Sequence, residues 1–203
     1  MAVLIADKRV LHADLDGDSV RAANGSMVAY TGKVEFKYAS GGGGFRAAMK
    51  RGVAGESISL MTCTGAGRVY LAQDAMDVTV VQLSNDRMTV ESEHILAITD
   101  GLQLDVQFSG LRGMTTGKGV ATTTVTGTGQ CAIMSDGPLI ALAVTPGQPL
   151  VVDPDVYVAG TGQTQMSIIS GVSWRSVIGE DTGEHFSLRF EGQGTIYIQP
   201  AER

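Results

Sequence analysis

The run His12-Ala13-Asp14-Leu15-Asp16-Gly17-Asp18 gathers the carboxylates that a hard cation such as calcium would take as ligands. A calcium loop also needs oxygen ligands at alternate positions and a bidentate glutamate at its twelfth residue, whereas the position eleven after Asp14 is Gly25. The run therefore reads as a solvated Asp-Gly turn between strands. A second stretch, Gly41-Gly42-Gly43-Gly44-Phe45-Arg46-Ala47-Ala48-Met49-Lys50-Arg51-Gly52, sets glycines before basic residues as a phosphate cradle does. It matches neither the Gly-x-x-x-x-Gly-Lys-Ser/Thr loop nor the Gly-x-Gly-x-x-Gly turn. Phe45 and Met49, with Arg46, Lys50 and Arg51 around them, make the candidate contact for a partner or an anionic lipid surface, as one short amphipathic turn. One or two turns bury too little apolar area for firm membrane binding, so a loop with a capping turn is the stronger reading.

Other reactive side chains are scattered. The histidines are His12, His94 and His185, and no Gly-x-Ser-x-Gly elbow, His-Glu-x-x-His pair or Cys-x-x-Cys pair occurs. No catalytic residue, cofactor or metal is expected from these patterns, and the chain reads as a non-enzyme. Two cysteines make no disulfide framework; Cys63 precedes a glycine turn and Cys131 follows the equivalent one, so both read as buried thiols.

The elements that must position any site come from an internal repeat. Thr64-Gly65-Ala66-Gly67-Arg68-Val69-Tyr70-Leu71 recurs as Thr126-Gly127-Thr128-Gly129-Gln130-Cys131-Ala132-Ile133, and again as Glu191-Gly192-Gln193-Gly194-Thr195-Ile196-Tyr197-Ile198. Each is a Gly-x-Gly followed by apolar residues at alternate positions, the signature of a half-buried strand. A shift of 62 residues aligns 64–106 with 126–168 without a gap, and eight of 43 positions are identical. The apolar pattern keeps its sense throughout, as in Val78/Ile140, Val80/Leu142 and Met88/Leu150, which implies equal strand registers.

Gly55-Glu56, Gly117-Lys118 and Gly183-Glu184 precede the three Gly-x-Gly turns, so the repeat cores are taken as 55–106, 117–168 and 183–203. The third stops at the C-terminus, and the N-terminal strands within 1–38 are expected to complete it. Within that segment, 24–38 reads as two strands with turns at Asn24-Gly25 and Thr31-Gly32. Arg46, Arg112 and Arg175 fall in the three linkers, where they are ordinary solvated charges or a basic ring.

Bulk composition agrees with many short strands joined by turns, with 27 glycines and only five prolines in 203 residues. The net charge of −6 opposes a phosphate backbone, so nucleic acid is not an expected partner. The N-terminus lacks the apolar core of a secretory signal and no run of eighteen apolar residues occurs, from which a cytoplasmic, soluble protein is expected.

The run Gly25-Ser26-Met27-Val28-Ala29-Tyr30-Thr31-Gly32-Lys33-Val34-Glu35 and the ending Gly183-Glu184-His185-Phe186 through Gln199 resemble the altered-inheritance-of-mitochondria-twenty-four family of uncharacterised proteins. Lys118 stands where that family commonly has Glu, and Thr128 and Gln193 where proline is frequent. The resemblance implies an all-β fold similar to the tryptophan RNA-binding attenuator protein: three tandem modules, each a short double-stranded β-helix, in a pseudo-threefold arrangement. It also implies mitochondrial inner-membrane organisation for eukaryotic members, and carries over no catalytic residue; without a transit segment this chain reads as a bacterial-type member. Self-association as a scaffold, with an unidentified protein partner, is the function expected first. A small-molecule, lipid or nucleic-acid binding module is the alternative by fold analogy.

Overall fold

In a computed structural model the described residues are 2–38, 58–107, 122–170 and 186–200. They form strands β1 (Val3–Asp7), β2 (Val10–Ala23), β3 (Met27–Tyr38), β4 (Leu60–Leu71), β5 (Asp77–Glu91), β6 (Ile95–Thr99), β7 (Leu102–Gln107), β8 (Thr122–Ser135), β9 (Ile140–Val144), β10 (Leu150–Val152), β11 (Tyr157–Ser170) and β12 (Phe186–Ile198). Single 3-10 turns, Ser92–His94 and Pro154–Val156, precede β6 and β11. All the pairings are antiparallel, in one sheet whose path is β10-β12-β11-β5-β8-β6-β2-β4-β3. The chain is thus all-β, as expected.

The strands carrying Gly-x-Gly are β4, β8 and β12, and each is central. β4 lies between β2 and β3, β8 between β5 and the successive strands β6 and β7, and β12 between β9 with β10 on one side and β11 on the other. The 62-residue shift carries the bounds of one 3-10 turn onto those of the other. Alternation puts Met61, Cys63, Val69 and Leu71 of β4 on one face, all fully buried. Three apolar clusters result among the described residues. One centres on β2 and β4 with Leu11, Val20 and Met61; the next on β5 and β8 with Met88, Ile98 and Ile133; the last on β9 to β12 with Tyr157, Phe190 and Ile196. In the last, the Tyr157 and Phe190 rings stack at 5.3 Å.

Several expectations change here. The N-terminal strands do not complete the third Gly-x-Gly strand: β2 and β3 flank β4, and β12 takes its neighbours from β9, β10 and β11. A repeat read from sequence fixes a period but not where the unit is cut, and here the Gly-x-Gly strand ends each set of three neighbours rather than opening it. Asp16-Gly17 is not a turn between strands. It is a bulge inside the continuous β2, where the register slips between Asp16 and Ser19. Thr31-Gly32 likewise lies within the single strand β3, whereas Asn24-Gly25 does form a turn, with Ser26 N donating to Ala23 O.

Candidate functional site

Among the described residues the two ends of the sheet path are open edges, as are the off-path strands β1, β7 and β9, each of which pairs with a single strand. Among the described residues β3 pairs on one side only, with β4, and β10 on one side only, with β12. A strand with an unpaired edge presents free N–H and C=O groups to any chain that can add to it. These edges also expose apolar side chains: Val28 is 59% and Tyr30 50% exposed on β3, and Val151 is 52% exposed on β10. Tyr30 sits edge-on to Phe36 with ring centroids 5.2 Å apart, so the β3 surface is a preformed aromatic ledge.

A buried polar group lies where β5 runs into the first 3-10 turn. Glu91 ends β5, and Glu93 and His94 follow on the turn, with one ligating atom from each within 4.8 Å of the others. The side chains of His94 and Glu91 are 2% and 5% exposed, and His94 Nε2 is 3.3 Å from Glu91 Oε2. His94 Nδ1 is 2.6 Å from the Met134 carbonyl oxygen; a carbonyl only accepts, so Nδ1 carries the proton and donates. Beside this group Ser92 Oγ and Thr123 Oγ1 are 2.9 Å apart, and the Tyr157 hydroxyl donates to Thr89 O at 3.2 Å. Burial, and then the charge of Glu91, push the Tyr157 hydroxyl well above its ordinary value.

The residues singled out by sequence meet different fates. Phe45, Arg46, Met49, Lys50 and Arg51 lie outside the described residues, as do His185 and the linker arginines Arg112 and Arg175. Asp14, from the acidic run, is held by Arg68 across β2 and β4 at 2.5 and 2.9 Å, and that hydrogen-bonded guanidinium lowers its carboxyl below the usual range. His12 packs edge-on against Tyr70 at 5.0 Å. The cluster of Glu91, Glu93 and His94 is one that sequence reasoning missed. Its only trace was that His94 has no histidine counterpart, Val156 standing 62 residues on.

Both cysteines are free and buried, as expected. Burial pushes the Cys63 thiol up to about 11 and the Cys131 thiol up to about 12. Thiolate is the reactive form, so neither thiol reacts with an aromatic disulfide reagent at pH 8 in the native protein, and both react in denaturant. Because the folded values lie above the unfolded ones, the folded state holds protons that the unfolded state has released once pH exceeds the unfolded value. The thiols' contribution to stability is complete below about pH 9 and is lost as pH rises through the folded values, at up to about 1.4 kcal/mol per pH unit per thiol. An alkaline melt series on the Cys131→Ala variant checks this, since its stability falls less steeply above pH 9 than that of the parent chain.

The described residues thus define an all-β fold with an open edge at each end of the sheet path and a buried acid-histidine cluster. A family model described as mitochondrial biogenesis AIM24 matches residues 2–201, and the chain belongs to that family. A crystal structure of a protein from Streptococcus pyogenes is similar in fold, with a TM-score of 0.76 and 24% identity, over 100% of this chain and 94% of that one. No curated protein matches this chain. Among the described residues no helix is long and apolar enough to cross a membrane.

Proposed function

We infer that the chain is a non-enzymatic interaction protein, built of three sheet modules in an open row, that associates head-to-tail with further copies of itself. The modules are the strand sets β2-β4-β3, β5-β8-β6/β7 and β9/β10-β12-β11, each supplying most of one apolar cluster, with Val78, Leu96, Ala97, Ala132 and Met134 of the second set joining the first cluster and Val158 and Ala159 of the third joining the second. This phase replaces the cut expected from sequence, and each unit is complete without borrowing a strand.

The observation that carries the self-association is a repeated junction with one instance missing. β6 meets β2 through Thr99↔Val20, Ile98↔Arg21 and Ala97↔Ala22, and β11 meets β5 through Thr161↔Met88, Gly160↔Thr89 and Ala159↔Val90. Val20, Met88 and Leu150 face equivalent positions on the central strands, Cys63, Val125 and Phe190. Thr31 and Thr161 are likewise equivalent, each preceding the glycine that lies opposite Gly67 or Gly194. The same rule therefore pairs Thr31 with Leu150, Tyr30 with Val151 and Ala29 with Val152. Those residues lie on the open edges at the two ends of the sheet path, where Tyr30 is 50% and Val151 52% exposed. A heterologous contact of this kind builds rings or open chains of copies.

Native mass spectrometry of the protein and of two variants tests the reading. The parent chain is expected as a homo-oligomer, and Tyr30→Lys and Val151→Lys each as a monomer, because a charge opposite an apolar residue blocks strand addition. Mixing the two variants leaves one intact edge on each and gives a dimer. A parent chain that is monomeric at tens of micromolar, or variants that stay oligomeric, would overturn it.

A further inference from the structure

The geometry points to a binding site for a first-row divalent transition-metal ion at Glu91, Glu93 and His94, with zinc as the best-fitting probe. His94 Nδ1 is already held by the Met134 carbonyl, which is the outer hydrogen bond that fixes the ring of a metal-ligating histidine and turns Nε2 to the metal. Nε2 is buried and has no hydrogen-bond partner, although Glu91 Oε2 is only 3.3 Å away. At that separation an aligned N–H would make a good hydrogen bond, so the oxygen must lie off the ring-nitrogen axis.

An off-axis oxygen at this distance is what a shared metal produces. Two ligand atoms each about 2.1 Å from a tetrahedral ion are about 3.4 Å apart, and the second lies well to the side of the first bond. His94 Nε2 and Glu91 Oε2 thus already form one edge of such a tetrahedron. Glu93 is exposed and sits on the same turn, so its carboxylate closes from within 4.8 Å without disturbing the core. One imidazole with two carboxylates suits zinc or manganese better than calcium or magnesium, which prefer an all-oxygen shell. Three protein ligands leave a fourth position to water on the exposed side of Glu93. The corresponding turn before β11 has Asp153, Asp155 and Val156 where this one has Glu91, Glu93 and His94, so the imidazole is the ligand that is not repeated.

The test is calorimetric titration of Zn²⁺ into the full chain, purified without a histidine tag and stripped with chelator, with Mn²⁺ as the second probe. One Zn²⁺ per chain is expected, with a rise in melting temperature. Glu93→Gln is expected to weaken binding at least about tenfold. His94→Gln is expected to abolish binding. Should His94→Gln fail to fold, Glu93→Gln decides alone. Absence of saturable zinc binding means that Glu91 and His94 are an internal ion pair, and zinc that binds Glu93→Gln as tightly as the parent sits elsewhere; either result overturns the site.

Discussion

Gly67→Ala is expected to leave the chain without a cooperative native state. A Cβ placed on Gly67 would stand 2.0 Å from the Thr31 carbonyl oxygen and 3.1 Å from the Gly32 Cα, and φ there is +154°. Those atoms belong to the backbone of β3, so no side chain can swing aside. Relief requires β3 and β4 to part, which breaks the ladder from Met27 to Tyr38 on one side and displaces Met61, Cys63 and Val69 from the first cluster on the other. The expected loss exceeds about 4 kcal/mol, the range reached by overpacking combined with backbone strain, against a total of about 5–15 kcal/mol for a typical domain. Gly17→Ala is the control. Its φ is +77° and nothing lies within 4 Å of the added methyl, so only the left-handed backbone penalty of about 1–2 kcal/mol remains. Gly17→Ala should therefore still melt cooperatively, lowered by about 2–8 °C at roughly 2–4 °C per kcal/mol for a chain of this size, whereas Gly67→Ala shows no cooperative melt. Similar melts for both would mean that close approach of the β3 and β4 backbones is not what the Gly-x-Gly glycines serve.

That close approach was legible in the sequence as spacing, and its meaning was not. Gly-x-Gly followed by alternating apolar residues announced β4, β8 and β12 and their registers, because the period of two survives whatever a strand pairs with. Spacing says nothing of which strand lies alongside, so the unit was cut one set of strands out of phase and the N-terminal strands were sent to the wrong partner. The leading strands show how similar patterns diverge locally. Ser84-Asn85-Asp86 makes a bulge and β5 continues, whereas Pro146 and Pro149 remove ladder donors and split the equivalent stretch into β9 and β10. The acid-histidine cluster was invisible for a different reason. Glu91 faces inward only because β5 ends there and a 3-10 turn brings His94 back over it, a geometry that depends on Met134 of β8 forty residues away.

Phe190→Ala is expected to melt the C-terminal strands before the others. Phe190 is 2% exposed and stacks on Tyr157, and among the described residues the cluster around it has four further buried members, Val144, Val152, Leu188 and Ile196. Removing a buried phenylalanine costs about 3–5 kcal/mol, and a small cluster has few neighbours able to collapse into the void. β12 also pairs with β9, β10 and β11, so its loosening releases all of them together. That group meets β5 and β8 through the three residue pairs from Ala159 to Thr161, the Tyr157 hydroxyl on Thr89 O and the packing of Val158 and Ala159 in the second cluster, whereas it pairs with neither β2 nor β4. Hydrogen exchange should show β9 to β12 losing protection by the full cost of the substitution, while β2 and β4 keep theirs. Leu11→Ala, in the first cluster, should give the reverse pattern at about 2–5 kcal/mol. Uniform loss of protection in both variants would make the sheet one cooperative unit, and the division into three modules would fall with it.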